Sequence, residues 1–345
     1  MQERMQWVDV CRGIGILLVI LGHCAPPFNK YIYGFHMPLF FVLTGYLWNP
    51  PDSFQTLAKK YAKKYLIPYF VLCAMNLCLN SILRIMRGEE LKIAHYVFGI
   101  LYSRGTLEWM PNCSPLWFLT AIYVALILVW LVNSISRAGL RCAGIIICPL
   151  ISYTFNYLNV IKLPWNIDTA FMGVLFIEFG ILIRKRTNVT GITLPLAVVF
   201  SVFLPIGYLM ININPVTEVS FDNNRYGNLL MMIAGALLTI MSVMIISHKL
   251  CTRLKCSYIA FLGKHTMLIM GFDYFSGTIA GRILGEIGYA NWASIFALKL
   301  LLLTGGILSW IMIAKQIQIR SGGGGEIIRL DYGTASVGTL ITQSM

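Results

Sequence analysis

Asp9, Arg12 and His23 all fall inside "WVDVCRGIGILLVILGHCAPPF" (Trp7 to Phe28), a stretch otherwise apolar enough to cross a membrane. In hydrocarbon each such group costs about 3 kcal/mol on insertion scales, so ionisable residues there face a protein interior, pair with one another or line a polar path. At about 100° per residue, Arg12 to His23 is eleven steps, roughly 20° past three turns, and Asp9 to His23 is fourteen, roughly 40° short of four. All three share one helix face, with Asp9 and Arg12 close enough to pair at i, i+3. Arg12 and His23 are about 16 Å apart along the axis. A guanidinium is a permanently charged fork for phosphate or carboxylate, and an imidazole can take a proton from a hydroxyl near neutral pH. The plainer alternative is an interfacial Asp9–Arg12 pair, with His23 at the outer headgroups.

The next segment, "YGFHMPLFFVLTGYLW" (Tyr33 to Trp48), adds a second imidazole, His36. The connection is only about seven residues, so two antiparallel helices bring His23 and His36 to similar depth. Pro38 interrupts the backbone ladder beside His36, and such irregularity at membrane depth is normally confined to protein-lined cavities. His36 either joins a network with His23 or is a surface histidine beside a structural proline.

The elements that must position these groups are membrane helices. Of 345 residues, 57% are hydrophobic and only 12% charged, and the mean hydropathy is +0.72. A bilayer core of about 30 Å needs about 20 apolar residues per helix. The sequence predicts an all-α, multi-pass bundle of ten spans, with approximate ends 7 to 25, 33 to 48, 65 to 83, 115 to 132, 141 to 158, 167 to 183, 192 to 210, 227 to 247, 258 to 276 and 292 to 314. With the N-terminus inside, 18 of the 27 basic residues fall in cytoplasmic segments, which puts both termini on the cytoplasmic side.

The net charge of +13 lies at membrane edges, where anionic lipids attract it, and nucleic acid is not an expected partner. Nine cysteines are scattered without metal-ligand spacing, and no metal is expected. A Cys24–Cys113 bridge is open but not expected. No stretch is long enough for a separate soluble domain. Residues 1–320 are expected to form one membrane domain, and 321–345, rich in Gly, Ser and Thr, read as a flexible tail or a non-native extension. No inverted repeat of the transporter kind is visible.

The run of Asp9, then "RGIGILLVILGH", then "FHMPLFFVLTGYL" resembles the opening of the acyltransferase-3 family of integral membrane acyltransferases, including fucose 4-O-acetylase-like sugar O-acetyltransferases. "KKYLIPY" (Lys63 to Tyr69), "PLWFL" (Pro115 to Leu119), "DTAFMGVLFIEFGILIRK" (Asp168 to Lys185) and "FLGKHTMLIMGFD" (Phe261 to Asp273) follow in the family's order, so the resemblance covers nearly all ten spans. It implies transfer of an acyl group, commonly acetyl, from cytoplasmic acyl-CoA to a hydroxyl of a cell-surface or lipid-linked glycan. A bacterial inner membrane is the expected location, with acetyl-CoA a co-substrate rather than a bound cofactor.

On that resemblance His23 is the expected general base, Arg12 binds the donor's phosphates or pantetheine, and Asp9 fixes Arg12. His36 polarises the thioester carbonyl or completes a network with His23. Lys63 and Lys64 either meet the adenosine phosphates or only anchor the helix to the membrane surface. The chain departs from the family in having lysines without a preceding Glu in the loop after the second span. Members often show a histidine where Asp273 stands and Asn where His265 stands. Glu178 reads as snorkelling toward Arg184–Arg186, or as a site residue.

On the outer side, Trp117 and Asp168 are expected to bind the acceptor, since aromatic faces cover pyranose C–H surfaces and carboxylates pair hydroxyls. An interfacial aromatic belt is the alternative for Trp117 and for Trp109. The loop "ININPVTEVSFDNNRYGN" (Ile211 to Asn228) supplies further amides and acids. A transporter or flippase using Asp9, Arg12, Glu178 and Asp273 is the competing reading, and a non-catalytic membrane module is a third.

Overall fold

The computed structural model describes residues 5–103, 105–158, 162–186 and 195–320. The expected tail, 321–345, lies outside them. Among the described residues the chain is helical, and its extended pairing is one isolated antiparallel bridge, Ser220 to Arg225.

The helices run α1 (Gln6–Gly22), α2 (Asn29–Tyr46), α3 (Phe54–Tyr61), α4 (Ile67–Met86), α5 (Ile93–Tyr102), α6 (Trp117–Asn133), α7 (Ala138–Tyr157), α8 (Ile167–Arg186), α9 (Leu196–Val198), α10 (Leu204–Asn212), α11 (Leu229–Arg253), α12 (Ser257–Lys264), α13 (Thr266–Glu286) and α14 (Trp292–Arg320). Six helical runs are long and apolar enough to cross a membrane: Phe54–Met86, Ser114–Asn133, Ala138–Phe155, Pro164–Arg186, Leu229–Arg253 and Trp292–Ile313. The other expected spans are shorter, more polar or broken. α1 has 17 residues and carries Asp9 and Arg12, α9 and α10 flank a π-helical turn, and the ninth expected span is split between α12 and α13. α5 is an additional helix within the 84–114 connection.

Core helices α1, α2 and α8 bury residues around most of their circumference. Peripheral helices expose large apolar side chains, among them Ile146 at 61%, Ile85 at 63% and Leu301 at 69%. An apolar exterior of this extent is a face for lipid.

Two close backbone approaches fix the centre. A Cβ on Gly263 of α12 would fall 1.8 Å from the Asp9 carbonyl oxygen of α1, and one on Gly45 of α2 would fall 1.9 Å from the Ile177 carbonyl oxygen of α8. Glycine lets these helices meet backbone to backbone, which sets the depth of Arg12 and of the α2 histidine. Cys24 and Cys113 are free thiols, so the bridge left open by the sequence is not formed.

Candidate active site

His23 stands at the end of α1, with its backbone N–H bonded to the Val19 carbonyl at 3.1 Å. The left-handed Ala25 (φ 52°) then turns the chain into α2. The side chain reaches across the bundle, and Nδ1 lies 2.6 Å from Asp273 Oδ2 on α13. The other carboxylate oxygen, Oδ1, lies 2.8 Å from Lys299 Nζ on α14, an ion pair rather than an aligned hydrogen bond. Asp273 is fully buried and Lys299 is 2% exposed. A carboxylate can only accept, so the neutral ring donates through Nδ1–H and keeps its Nε2 lone pair. This is the arrangement by which an acid fixes the tautomer of a general base. Lys299 supplies the opposite charge that a buried carboxylate requires.

His23 lines a cavity of about 90 Å³ with His36, Tyr33, Trp117, Asp222 and Tyr274. His23 and His36, expected at similar depth, line one cavity, and Trp117 lines it with them. The Tyr33 ring lies 4.9 Å from His36 and 6.3 Å from His23, and the Tyr274 ring lies 4.7 Å from His23. His36 is buried, and its Nδ1 donates to the Ile32 carbonyl at 2.8 Å. In the neutral ring that bond leaves Nε2 as an acceptor, which suits receiving a hydroxyl proton better than polarising a carbonyl.

Arg12 lines a second cavity, of about 70 Å³, with Lys64, Tyr65, Phe118, Lys264 and Thr266. Asp9 is buried on the same helix. The lysine pair of the sequence divides, since Lys64 reaches this lining while Lys63 is exposed and off it. Consecutive residues of a helix point about 100° apart, and the two lie in a π-helical turn at Ala62–Leu66 between α3 and α4, an irregularity common at functional sites. Lys264 enters from the break between α12 and α13. There His265 leaves the helical region (φ −106°, ψ 20°), its Nδ1 donating to the Phe261 carbonyl at 2.8 Å.

Asp168 is not on either lining. It is fully buried and accepts a hydrogen bond from Asn224 Nδ2, while Thr169 donates to the Phe221 carbonyl at 2.7 Å. Together with Lys30, which donates to the Asn212 and Asn214 carbonyls at 2.7 and 2.8 Å, these bonds hold the 213–228 loop over the first cavity and bring Asp222 to it. Glu218 accepts from Asn29 at 3.2 Å. Burial, with Asp222 nearby, holds its carboxyl above the usual carboxylate range. Glu178 accepts from Asn133 and stands apart from both linings. Trp109 stacks on His95 at 3.8 Å. Among the described residues, no cluster of three or more His, Cys, Asp or Glu could hold a metal ion.

The sequence reading did not join Asp273 to Lys299, Lys264 to Arg12, or Asp222 to His23. For the first pair a signal exists, since opposite charges within neighbouring apolar helices are costly unless they meet.

A family model described as an acyltransferase domain, of the acyltransferase-3 type, matches residues 5–314. Nodulation protein NolL of Sinorhizobium fredii (strain NBRC 101917 / NGR234) is 27% identical over 189 residues, covering 49% of this chain and 48% of that protein. Nodulation protein NolL of Mesorhizobium japonicum (strain LMG 29417 / CECT 9101 / MAFF 303099) is 25% identical over 179 residues, covering 43% and 44%. The matched region thus spans about half the length of each curated relative. No solved structure matches at a significant level.

Proposed function

The chain belongs to the acyltransferase-3 family, and from that premise we propose that it moves an acyl group, acetyl in the first instance, from cytoplasmic acyl-CoA to a glycan hydroxyl. The observation that carries this reading is the His23–Asp273 pair, which opens one cavity while Arg12, on the same helix, opens another. A base oriented by a buried acid has its use in removing a proton, and clustered Arg and Lys have theirs in holding phosphate. Family membership weighs against a transporter or flippase.

In the proposed reaction the donor's phosphates lie on Arg12, Lys64 and Lys264, and the pantetheine arm carries the thioester toward His23. The acceptor hydroxyl gives its proton to His23 Nε2 as its oxygen attacks the thioester carbonyl. The C–O bond forms, the C–S bond breaks, and the proton passes from the imidazolium to the departing thiolate, giving an ester and free CoA. Tyr33 and Tyr274 line the same cavity and their hydroxyls donate to the developing oxyanion, and Trp117 and Asp222 face the sugar. This reading retains ten membrane crossings with both termini cytoplasmic, the His23 cavity toward the outer side, and the inner membrane of a bacterium as the location. The acceptor is a cell-surface or lipid-linked glycan.

The test compares glycans from cells producing the wild-type chain, the His23→Ala variant or neither, by mass for a gained acetyl and by NMR for its position. The variant should reach the membrane at wild-type level and leave glycans as in cells without the protein, because loss of a general base costs about 10²- to 10⁴-fold. Near-normal acylation by the variant would remove His23 from the base role. Unchanged glycans in wild-type cells would remove the glycan acceptor.

A further inference from the structure

Met270 of α13 belongs to the linings of both cavities and is 4% exposed. Around it α2 and α6 divide their residues between the two. On α2, Met37 faces the His23 cavity and Phe40 the Arg12 cavity, and on α6 Trp117 and Phe118 divide the same way. Along α13 itself, Met267 lines the Arg12 cavity and Tyr274 the His23 cavity, so Met270 lies between them on one helical stripe.

The geometry points to Met270 as the partition between the donor cavity and the reacting cavity, and as the residue that sets the length of acyl chain seated at His23. The inference rests on the donor reading above. With phosphates held on the cations beside Arg12, the thioester must pass Met270 to reach the base. The acyl carbons beyond the carbonyl must then share about 90 Å³ with the acceptor hydroxyl. An unbranched thioether has three rotatable bonds and can yield to a slender arm, yet it still fills the space a longer chain would need. Selection by such packing is about 10- to 200-fold per methylene.

The test needs no acceptor. Equilibrium binding of CoA, acetonyl-CoA and 2-oxohexyl-CoA, thioethers that carry a ketone in place of the thioester, is measured on the full chain in detergent. The wild type should bind 2-oxohexyl-CoA at least tenfold more weakly than acetonyl-CoA. Met270→Ala should narrow that gap by tenfold or more, and Met270→Val should narrow it in part. Met270→Phe should weaken acetonyl-CoA by tenfold or more relative to CoA. A chain-length series unchanged by all three substitutions, with CoA still bound, would overturn the partition alone. Failure of the wild type to bind CoA would overturn the donor reading and the partition with it.

Discussion

Asp273 holds His23 with one carboxylate oxygen and Lys299 with the other, at 2.6 and 2.8 Å. The three residues come from α1, α13 and α14, so the ring's orientation depends on packing among three helices rather than on local sequence. In a fully buried position the ammonium supplies the charge opposite to the carboxylate, and the carboxylate in turn favours the Nδ1–H tautomer of the ring.

Asp273→Asn should therefore misorient the proton rather than the ring. With the amide oxygen kept toward the Lys299 ammonium, the amide N–H₂ would face His23 Nδ1 and favour the Nε2–H tautomer, whose Nε2 cannot accept a proton. A fall in kcat of about 10²- to 10⁴-fold is expected, with KM for acyl-CoA within about threefold and partial recovery in Asp273→Glu. Steady-state kinetics on purified protein checks the split, and a loss confined to KM would assign Asp273 a role in donor binding instead.

Lys299→Met should be the less stable protein, by about 3–5 kcal/mol, because it leaves a buried carboxylate uncompensated. Adding Asp273→Asn removes that charge. The double variant should regain much of the thermal stability in detergent while remaining inactive, and additive losses from the two changes would show that the residues do not act as a pair.

Lys64→Ala should raise KM for acyl-CoA about tenfold, the scale of one charge-assisted contact to phosphate. Lys63→Ala should change it less than twofold, since Lys63 is exposed and off the lining. Donor titrations of the two variants separate a phosphate site from a membrane anchor, for which both lysines would count alike.

Gly263→Ala should be strongly destabilising, by about 1–3 kcal/mol or more, because the new Cβ would meet the Asp9 carbonyl and that backbone cannot rotate away. Gly281→Ala, also on a helix but with nothing within 4 Å of its Cβ, should be neutral or stabilise by up to about 1 kcal/mol. Thermal aggregation of the two variants in parallel gives the comparison.

That Arg12 and His23 each face a cavity was legible because a helix's period is fixed, whereas Asp9, placed on the same stripe, is buried off both linings; the short connection to His36 was legible because it leaves two helices no choice but to lie side by side. The acid that orients His23 was not. Asp273 is 250 positions away, and no periodicity links one helix to a particular neighbour. Lys264 was similarly hidden, because the break at His265 that turns it toward Arg12 carries no proline. The π-helical turn that holds Lys63 and Lys64 arises within a run with ordinary helical residues. Asp168 looked like a binding group because it begins a helix near polar loops. Its role in holding the 213–228 loop depends on Asn224, a partner that only the folded chain supplies.

Arg12, Lys64 and Lys264 gather around one cavity, and the second, around His23, contains none of the three. On the proposed reaction this separation has an electrical consequence. The phosphates never leave their cations, and the arm and acyl group that pass Met270 carry no charge. The proton taken from the outer hydroxyl returns with the thiol as neutral CoA–SH. Moving one net charge through a potential of 100 mV would involve about 2.3 kcal/mol, whereas this exchange moves none. Acylation of the outer sugar is then electroneutral, driven by the thioester alone and indifferent to whether the membrane is energised.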